Sequence, residues 1–194
     1  MNSDYFDKII RTITDSIHSI DEEKYNLLLD RVTETLRNKS KVVVTGLGKN
    51  VPICEKFVGT MLSFGLNASF LHTNTAVHGD LGVVHDGDLV IILSKSGETI
   101  ESLFLLEQLK KRNVDIWAMT FDANSSLARG ADNSLVITMD DEGDKWNIVP
   151  NNSTTLYLIV LQAIAIKMSE VFSVTIDDFR KNHPGGAIGA KLNR

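Results

Sequence analysis

The stretch Leu89–Glu107 constrains the fold of this chain more than any other. Five consecutive apolar residues, Leu89 to Leu93, read as a strand buried on both faces, and such strands belong to parallel sheets covered by helices. The apolar run stops at Ser94, and a polar turn follows: Ser94, Lys95, Ser96, Gly97. Then Ile100, Leu103, Phe104 and Leu106 recur at helical spacing, with Lys110, Lys111 and Arg112 where a helix C-terminus favours cations. Strand, hydroxyl-rich turn and helix start together aim backbone N–H groups and the hydroxyls of Ser94, Ser96 and Thr99 at one spot. A helix N-terminus of this kind holds a phosphate, each interaction with the dipole contributing about 0.3–1 kcal/mol. Gly97 is expected to let the backbone come close to the anion. An ordinary capped turn would use the same residue types.

The rest of the chain repeats the alternation. Lys41–Gly46 reads as a first strand, Val51–Phe64 as a helix stopped by Gly65, and Ala68–Leu71 as a second strand. After Leu89–Leu93 come a fourth strand at Val114–Phe121, a helical turn at Ser126–Ala131 and a fifth strand at Leu135–Met139. Leu156–Met168 reads as a core helix, broken by Gln162 and Lys167 and too short to span a bilayer. Short loops between alternating strands and helices predict an α/β fold: a doubly wound, three-layer αβα sandwich around a five-stranded parallel sheet. Upstream, Phe6, Ile9, Ile10, Ile13 and Ile17, then Leu27, Leu28, Val32 and Leu36, predict an N-terminal helical pair whose second member is capped by Asp21. Such a pair packs against a partner subunit or against its own sheet. At 194 residues the chain is expected to be one domain, with helices over residues 1–38 and the ligand-binding core over residues 39–194.

Several local motifs bear on chemistry. Gly46-Leu47-Gly48-Lys49-Asn50 lacks the third glycine of a dinucleotide fingerprint, since Val51 stands there, and it lacks the length and Lys-Ser/Thr ending of a P-loop. It remains a short glycine turn that puts Lys49 at the carboxyl end of the first strand, where open α/β sheets bind ligands. His72 ends the second strand, His78 follows in a Gly-Asp-Leu-Gly segment, and His85 precedes an Asp-Gly turn and reads as surface. The long polar loop Asp140–Asn152 opens with Glu142 and runs into Ser153-Thr154-Thr155, whose first hydroxyl is expected to cap a helix and whose neighbours face an anion or a strand end. Its acids are wrongly spaced for calcium, and no histidine cluster has metal-ligand spacing. Lys plus Arg is 20 against Asp plus Glu 25, a net charge of −5, so there is no basic footprint for nucleic acid or an anionic membrane. The single cysteine, Cys54, and the absence of a signal-peptide layout around Asp4 and Asp7 suit a reducing cytoplasm.

Taken together these segments carry a family resemblance. Ser94-x-Ser96-Gly97-x-Thr99 between strand and helix resembles the sugar isomerase (SIS) domain, a five-stranded parallel sheet that binds phosphosugars. With Gly46-Leu47-Gly48-Lys49, His78-Gly79-Asp80-Leu81-Gly82 and Asn182-His183-Pro184-Gly185-Gly186-Ala187 in that order, the chain is similar to D-arabinose 5-phosphate isomerases from Lys41 to Leu192. The resemblance implies interconversion of ribulose 5-phosphate and arabinose 5-phosphate through an enediol, feeding the Kdo pathway of lipopolysaccharide or capsule synthesis. It also implies a homotetramer with histidines shared between chains, and no cofactor or metal. Carried over by position, the catalytic residues fall on Lys49, Glu101, Glu142 and His183, and substrate-binding positions on Gly48, His72, His78, Ser94, Ser96, Gly97 and Thr99. Ser153 and Thr154 join them as hydroxyls at a helix start. Glu101 and His183 are expected to handle protons, Glu142 to assist and Lys49 to stabilise negative charge, with Glu142 as the rival main base. Glu98 reads as a structural helix N-terminal acid. Lys95 stands where a polar uncharged residue is common, Asn74-Thr75 where Gly-Glu is usual, and the loop around Glu142 also departs. Many relatives continue into CBS modules, so this chain is expected to be a stand-alone SIS domain or a truncated one. A non-catalytic phosphosugar sensor, or an isomerase of a hexulose or heptulose phosphate, are the alternatives.

Overall fold

The computed structural model describes residues 3–192. Helices α1 (Ser3–His18) and α2 (Glu22–Arg37) come first, and the Asp21 carboxylate caps α2 by accepting the Lys24 N–H at 3.0 Å. Strand β1 (Val42–Gly46) then leads through a short 3₁₀ turn, Gly48–Asn50, into α3 (Val51–Ser63). The chain continues as β2 (Ala68–His72), α4 (Thr73–Ala76), β3 (Leu89–Leu93), α5 (Ile100–Leu109), β4 (Asp115–Thr120), α6 (Ser126–Gly130) and β5 (Asn133–Val136). Helices α7 (Asn152–Val171), α8 (Ile176–Asn182) and α9 (Gly186–Leu192) follow. The sheet order is β2-β1-β3-β4-β5 with every pair parallel. Val42 pairs with Ala68 on one side and with Leu89 on the other.

Alternation within the strands sorts the core into two layers. Val42, Val44, Leu89, Ile91, Leu93, Trp117 and Met119 face one side, where α2, α3 and α7 bury Leu28, Phe57, Met61 and Leu161. Val43, Val90, Ile92, Ile116 and Ala118 face the other, against Leu105, Leu106 and Leu109 of α5 and Leu127 of α6. A strand covered on both faces has no polar side, which is why its sequence reads as an unbroken apolar run. The expected three-layer sandwich is therefore present. Both helices of the pair reach this core, α2 through Leu28 and Val32 and α1 through Ile13 with Ile17 packed alongside, while the outer side of α1 leaves Tyr5, Phe6 and Ile10 exposed.

Two elements differ from the sequence expectation. β5 starts at Asn133 rather than Leu135 and ends at Val136, because an edge strand needs only backbone pairing, and Asn133 and Ser134 pair opposite Trp117 and Ala118. Helix α7 is longer than Leu156–Met168, beginning at Asn152 and ending at Val171, so by length and apolarity it could cross a membrane. Instead Leu156, Tyr157, Val160, Leu161, Ile164 and Met168 are buried against the sheet, and the Tyr157 hydroxyl donates to the Met119 carbonyl at 3.0 Å.

Leu28 is fully buried between α2 and the sheet. Leu28→Ala is accordingly expected to lower unfolding free energy by about 2–5 kcal/mol, read from the urea midpoint. A loss below about 1 kcal/mol would make α2 peripheral to the core.

Candidate active site

In this strand order the chain leaves β1 toward β2 and leaves β3 toward β4, so the loops after β1 and β3 diverge and open a crevice. That crevice is a cleft of about 470 Å³ lined by residues of both loops, including Gly48, Lys49, Ser94, Lys95, Ser96 and Thr99. On the β1 side Gly48 adopts φ +60°, with open space where a Cβ would lie, and Asn50 Nδ2 donates to the Leu93 carbonyl at 3.3 Å. Lys49, presented by this turn, is exposed and has no ion-pair or hydrogen-bond partner among the described residues.

On the β3 side the turn is held by its own hydroxyls. Ser94 Oγ accepts the Gly97 N–H and lies 3.2 Å from Thr99 Oγ1, and Ser96 Oγ accepts the Glu98 N–H at 3.2 Å. The N–H groups of Ile100, Glu101 and Ser102, in the first turn of α5, keep no acceptor among the described residues. They and the dipole behind them suit an anion. Gly97 has a different cause from the one expected. At φ +63° its Cα abuts the start of α6, and a Cβ there would collide with the Ser125 side chain, so packing against α6 by itself requires the glycine. Glu98 is structural as expected, though it acts on a different helix: its Oε1 accepts the Ser126 N–H at 2.6 Å, at the start of α6.

Glu142 is fully buried, and both its oxygens are occupied. Oε1 takes Lys95 Nζ at 2.7 Å and Ser153 Oγ at 2.6 Å, while Oε2 takes the N–H groups of Asn151 at 3.0 Å and Ser153 at 2.9 Å. Burial alone would raise this carboxyl's pKa, but the Lys95 ammonium, the Ser153 hydroxyl and the two backbone N–H groups outweigh it and hold the value down. Ser153 is thus not the cap of α7. It sits inside the first turn, and Glu142 supplies the cap from the preceding loop, so the buried Ser153 hydroxyl donates to Glu142, while the Thr154 hydroxyl donates back to the Asn151 carbonyl.

The histidines lie apart. His72 caps α4, with Nδ1 accepting the Asn74 N–H, and lines a second cleft beside Asp80 at the end of β2. His78 is exposed just beyond. His183 stacks on Phe179 at 4.0 Å, and its Nδ1 donates to the Phe179 carbonyl at 2.9 Å, which leaves Nε2 as the acceptor of the neutral ring. Its neighbour Asn182 donates to the Ser63 carbonyl, at the far end of α3. Because α3 begins beside Lys49 and spans 13 residues, His183 sits about 20 Å from the cleft of its own chain. Among the described residues no group of His, Cys, Asp and Glu could hold a metal ion.

The SIS domain model matches residues 35–167. The chain belongs to the SIS domain family. Two curated relatives are both named arabinose 5-phosphate isomerase KdsD: the Francisella tularensis protein is 36% identical over 94% of this chain and 56% of its own length. The Escherichia coli K12 protein is 40% identical over 79% of this chain and 47% of its own. The chain thus spans about half the length of the curated relatives it matches. Among solved structures, Escherichia coli CFT073 c3406 in complex with arabinose 5-phosphate superposes with a TM-score of 0.87 at 34% identity, covering 95% of this chain and 100% of that one.

Within this SIS domain, Asn50, Lys95, Ser102 and Pro150 also line the cleft, although none was among the expected catalytic or substrate-binding residues. Lys95 alone carried a signal, as a cation inside a hydroxyl turn. A carboxyl held below its ordinary value stabilises the fold fully above the unfolded value of 4.5 and loses that contribution as pH falls through the lower folded value. Glu142→Gln is therefore expected to be less stable than the parent at about pH 7, with the gap closing toward about pH 3. Urea titrations across that range check it, and a gap independent of pH would remove the charge on Glu142 from the stability of α7.

Proposed function

We propose that this SIS domain is an aldose–ketose isomerase interconverting D-ribulose 5-phosphate and D-arabinose 5-phosphate. The observation that carries the reading is Lys49 and the acceptor-free N–H groups of the α5 N-terminus meeting across one cleft, with exposed Glu101 in the first turn of that helix, both side chains without partners among the described residues. The names of the KdsD relatives and the arabinose 5-phosphate complex of c3406 support the choice of substrate.

The chemistry needs a base, an acid and a grip on the phosphate. Removing a proton from C1 of the ketose gives a 1,2-enediol, and returning a proton to C2 while the C1 hydroxyl becomes the carbonyl gives the aldose. Glu101 suits the base, since no donor among the described residues occupies its carboxylate, whereas Glu142 has four donors already. We assign Glu142 the assisting role of holding the site together. Lys49 stabilises the oxyanion that develops at the carbonyl oxygen. His183, pinned about 20 Å away within its own chain, serves the cleft of a neighbouring subunit, its free Nε2 exchanging the hydroxyl proton. The exposed apolar face of α1, with Tyr5, Phe6 and Ile10, offers surface for assembly, and we take the assembly to be a homotetramer. His72 and His78 line its substrate approach. A reducing cytoplasm fits the buried, unpaired Cys54, and the product would enter the Kdo pathway of lipopolysaccharide or capsule synthesis.

Incubation with ribulose 5-phosphate is expected to yield arabinose 5-phosphate, and Glu101→Gln to lower kcat by about a hundredfold or more without loss of fold. Failure of the parent to form any aldose would leave a phosphosugar-binding module. For the shared site, Glu101→Gln and His183→Ala subunits are mixed after verified exchange. Partial return of activity is expected, and a dead mixture means that each chain builds its own site.

A further inference from the structure

The hydroxyl turn of this chain carries a lysine, and that lysine is held in an unusual way. Lys95 Nζ is 2.7 Å from Glu142 Oε1, and while the carboxylate is fully buried the lysine side chain remains 41% exposed and lines the cleft. An ammonium has three donors, and the carboxylate takes one. The backbone of Lys95 is fixed as well, because its carbonyl accepts the Phe121 N–H at 3.1 Å and the Thr120 hydroxyl at 3.1 Å. The cation is therefore held in place at the mouth of the anion site before any ligand arrives. A second observation points to a missing acceptor there. Ser102, on α5, lines the same cleft, is 1% exposed, and its hydroxyl has no partner among the described residues.

We propose that Lys95 is a direct phosphate ligand, bridging the buried Glu142 carboxylate and the phosphate of the sugar, with the Ser102 hydroxyl as an additional donor to the same group. The proposal rests on reading the cleft as a phosphosugar site. Its chemical content is a second ammonium beside Lys49, matched to a phosphate dianion rather than to an uncharged sugar. Glu142 then has a function besides capping α7: it sets where the ammonium stands, so that little side-chain entropy is lost when the phosphate binds.

Calorimetric titration with inorganic phosphate and with ribulose 5-phosphate tests this on the parent, Lys95→Met, Glu142→Gln and the double variant. Lys95→Met is expected to weaken inorganic phosphate binding by about tenfold, and to keep a smaller loss in the same direction in the Glu142→Gln background, where the ammonium is no longer positioned. Because the double variant has no unpaired buried charge, it covers the case in which Lys95→Met fails to fold. If the loss disappears in the Glu142→Gln background, Lys95 merely neutralises Glu142 and the proposal is overturned. If Lys95→Met binds both ligands within about twofold of the parent, the proposal is likewise overturned while the phosphosugar reading stands. If the parent binds neither ligand, both fall together. Ser102→Ala is expected to weaken phosphate in the same direction by a smaller factor, and unchanged binding removes Ser102 from the site.

Discussion

A buried carboxylate at the start of a helix organises the ligand-binding end of this molecule. Glu142 reaches from the loop after β5 to the first turn of α7 and takes two backbone N–H groups, one hydroxyl and the ammonium of Lys95. A charge so fully removed from water is tolerated only when every lone pair is met, and losing one partner of such a pair costs about 3–5 kcal/mol. The donors come from two segments, Lys95 and Asn151–Ser153, so the carboxylate ties its own loop, the turn after β3 and the start of α7 into one unit. The orientation also suits the helix, since a negative charge belongs at its N-terminus.

Around that anchor the site separates two tasks. In the proposed reading, holding an anion falls to the N-terminus of α5, to the hydroxyls of Ser94, Ser96 and Thr99, and to cations at the cleft. These groups sit on rigid supports: Ser94 follows a strand buried on both faces, and the turn is wedged against Ser125 at Gly97. Proton handling is assigned to groups left without protein partners, Glu101 and the Nε2 of His183. That division has a physical basis. A phosphate site works best preorganised, whereas a general base must keep its lone pair free for the reacting carbon.

The distance between His183 and Lys49 within one chain is the strongest structural argument for assembly. Helix α8 packs its Phe179 against Phe64, at the opposite end of α3 from the cleft. No side-chain rotation bridges about 20 Å, so under the proposed mechanism the histidine comes from another copy. The apolar residues of α1 divide: Ile13 and Ile17 join the core, while Tyr5, Phe6 and Ile10 stay exposed, a patch that association could cover.

Much of this was legible along the chain because the determining interactions are local. The apolar runs specified strands buried on both faces, the Asp21 cap followed from its position before a helical period, and the Ser94–Thr99 stretch announced a polar turn between strand and helix. Failures came where two distant segments meet. Gly97 is explained by Ser125, Glu98 by the start of α6, and the reassignment of Ser153 from cap to donor by Glu142. The pairing of Lys95 with Glu142 joins residues far apart in sequence, and nothing in either neighbourhood specifies the other. The sequence by itself thus determined the layers of the fold, the strand–turn–helix units and the residue types available for catalysis, since periodicity and turn chemistry act over a few residues. Only the tertiary structure decided which carboxylate is saturated, which lysine is pinned and which histidine is out of reach, because hydrogen-bond partners and burial are set by how separate segments pack in space.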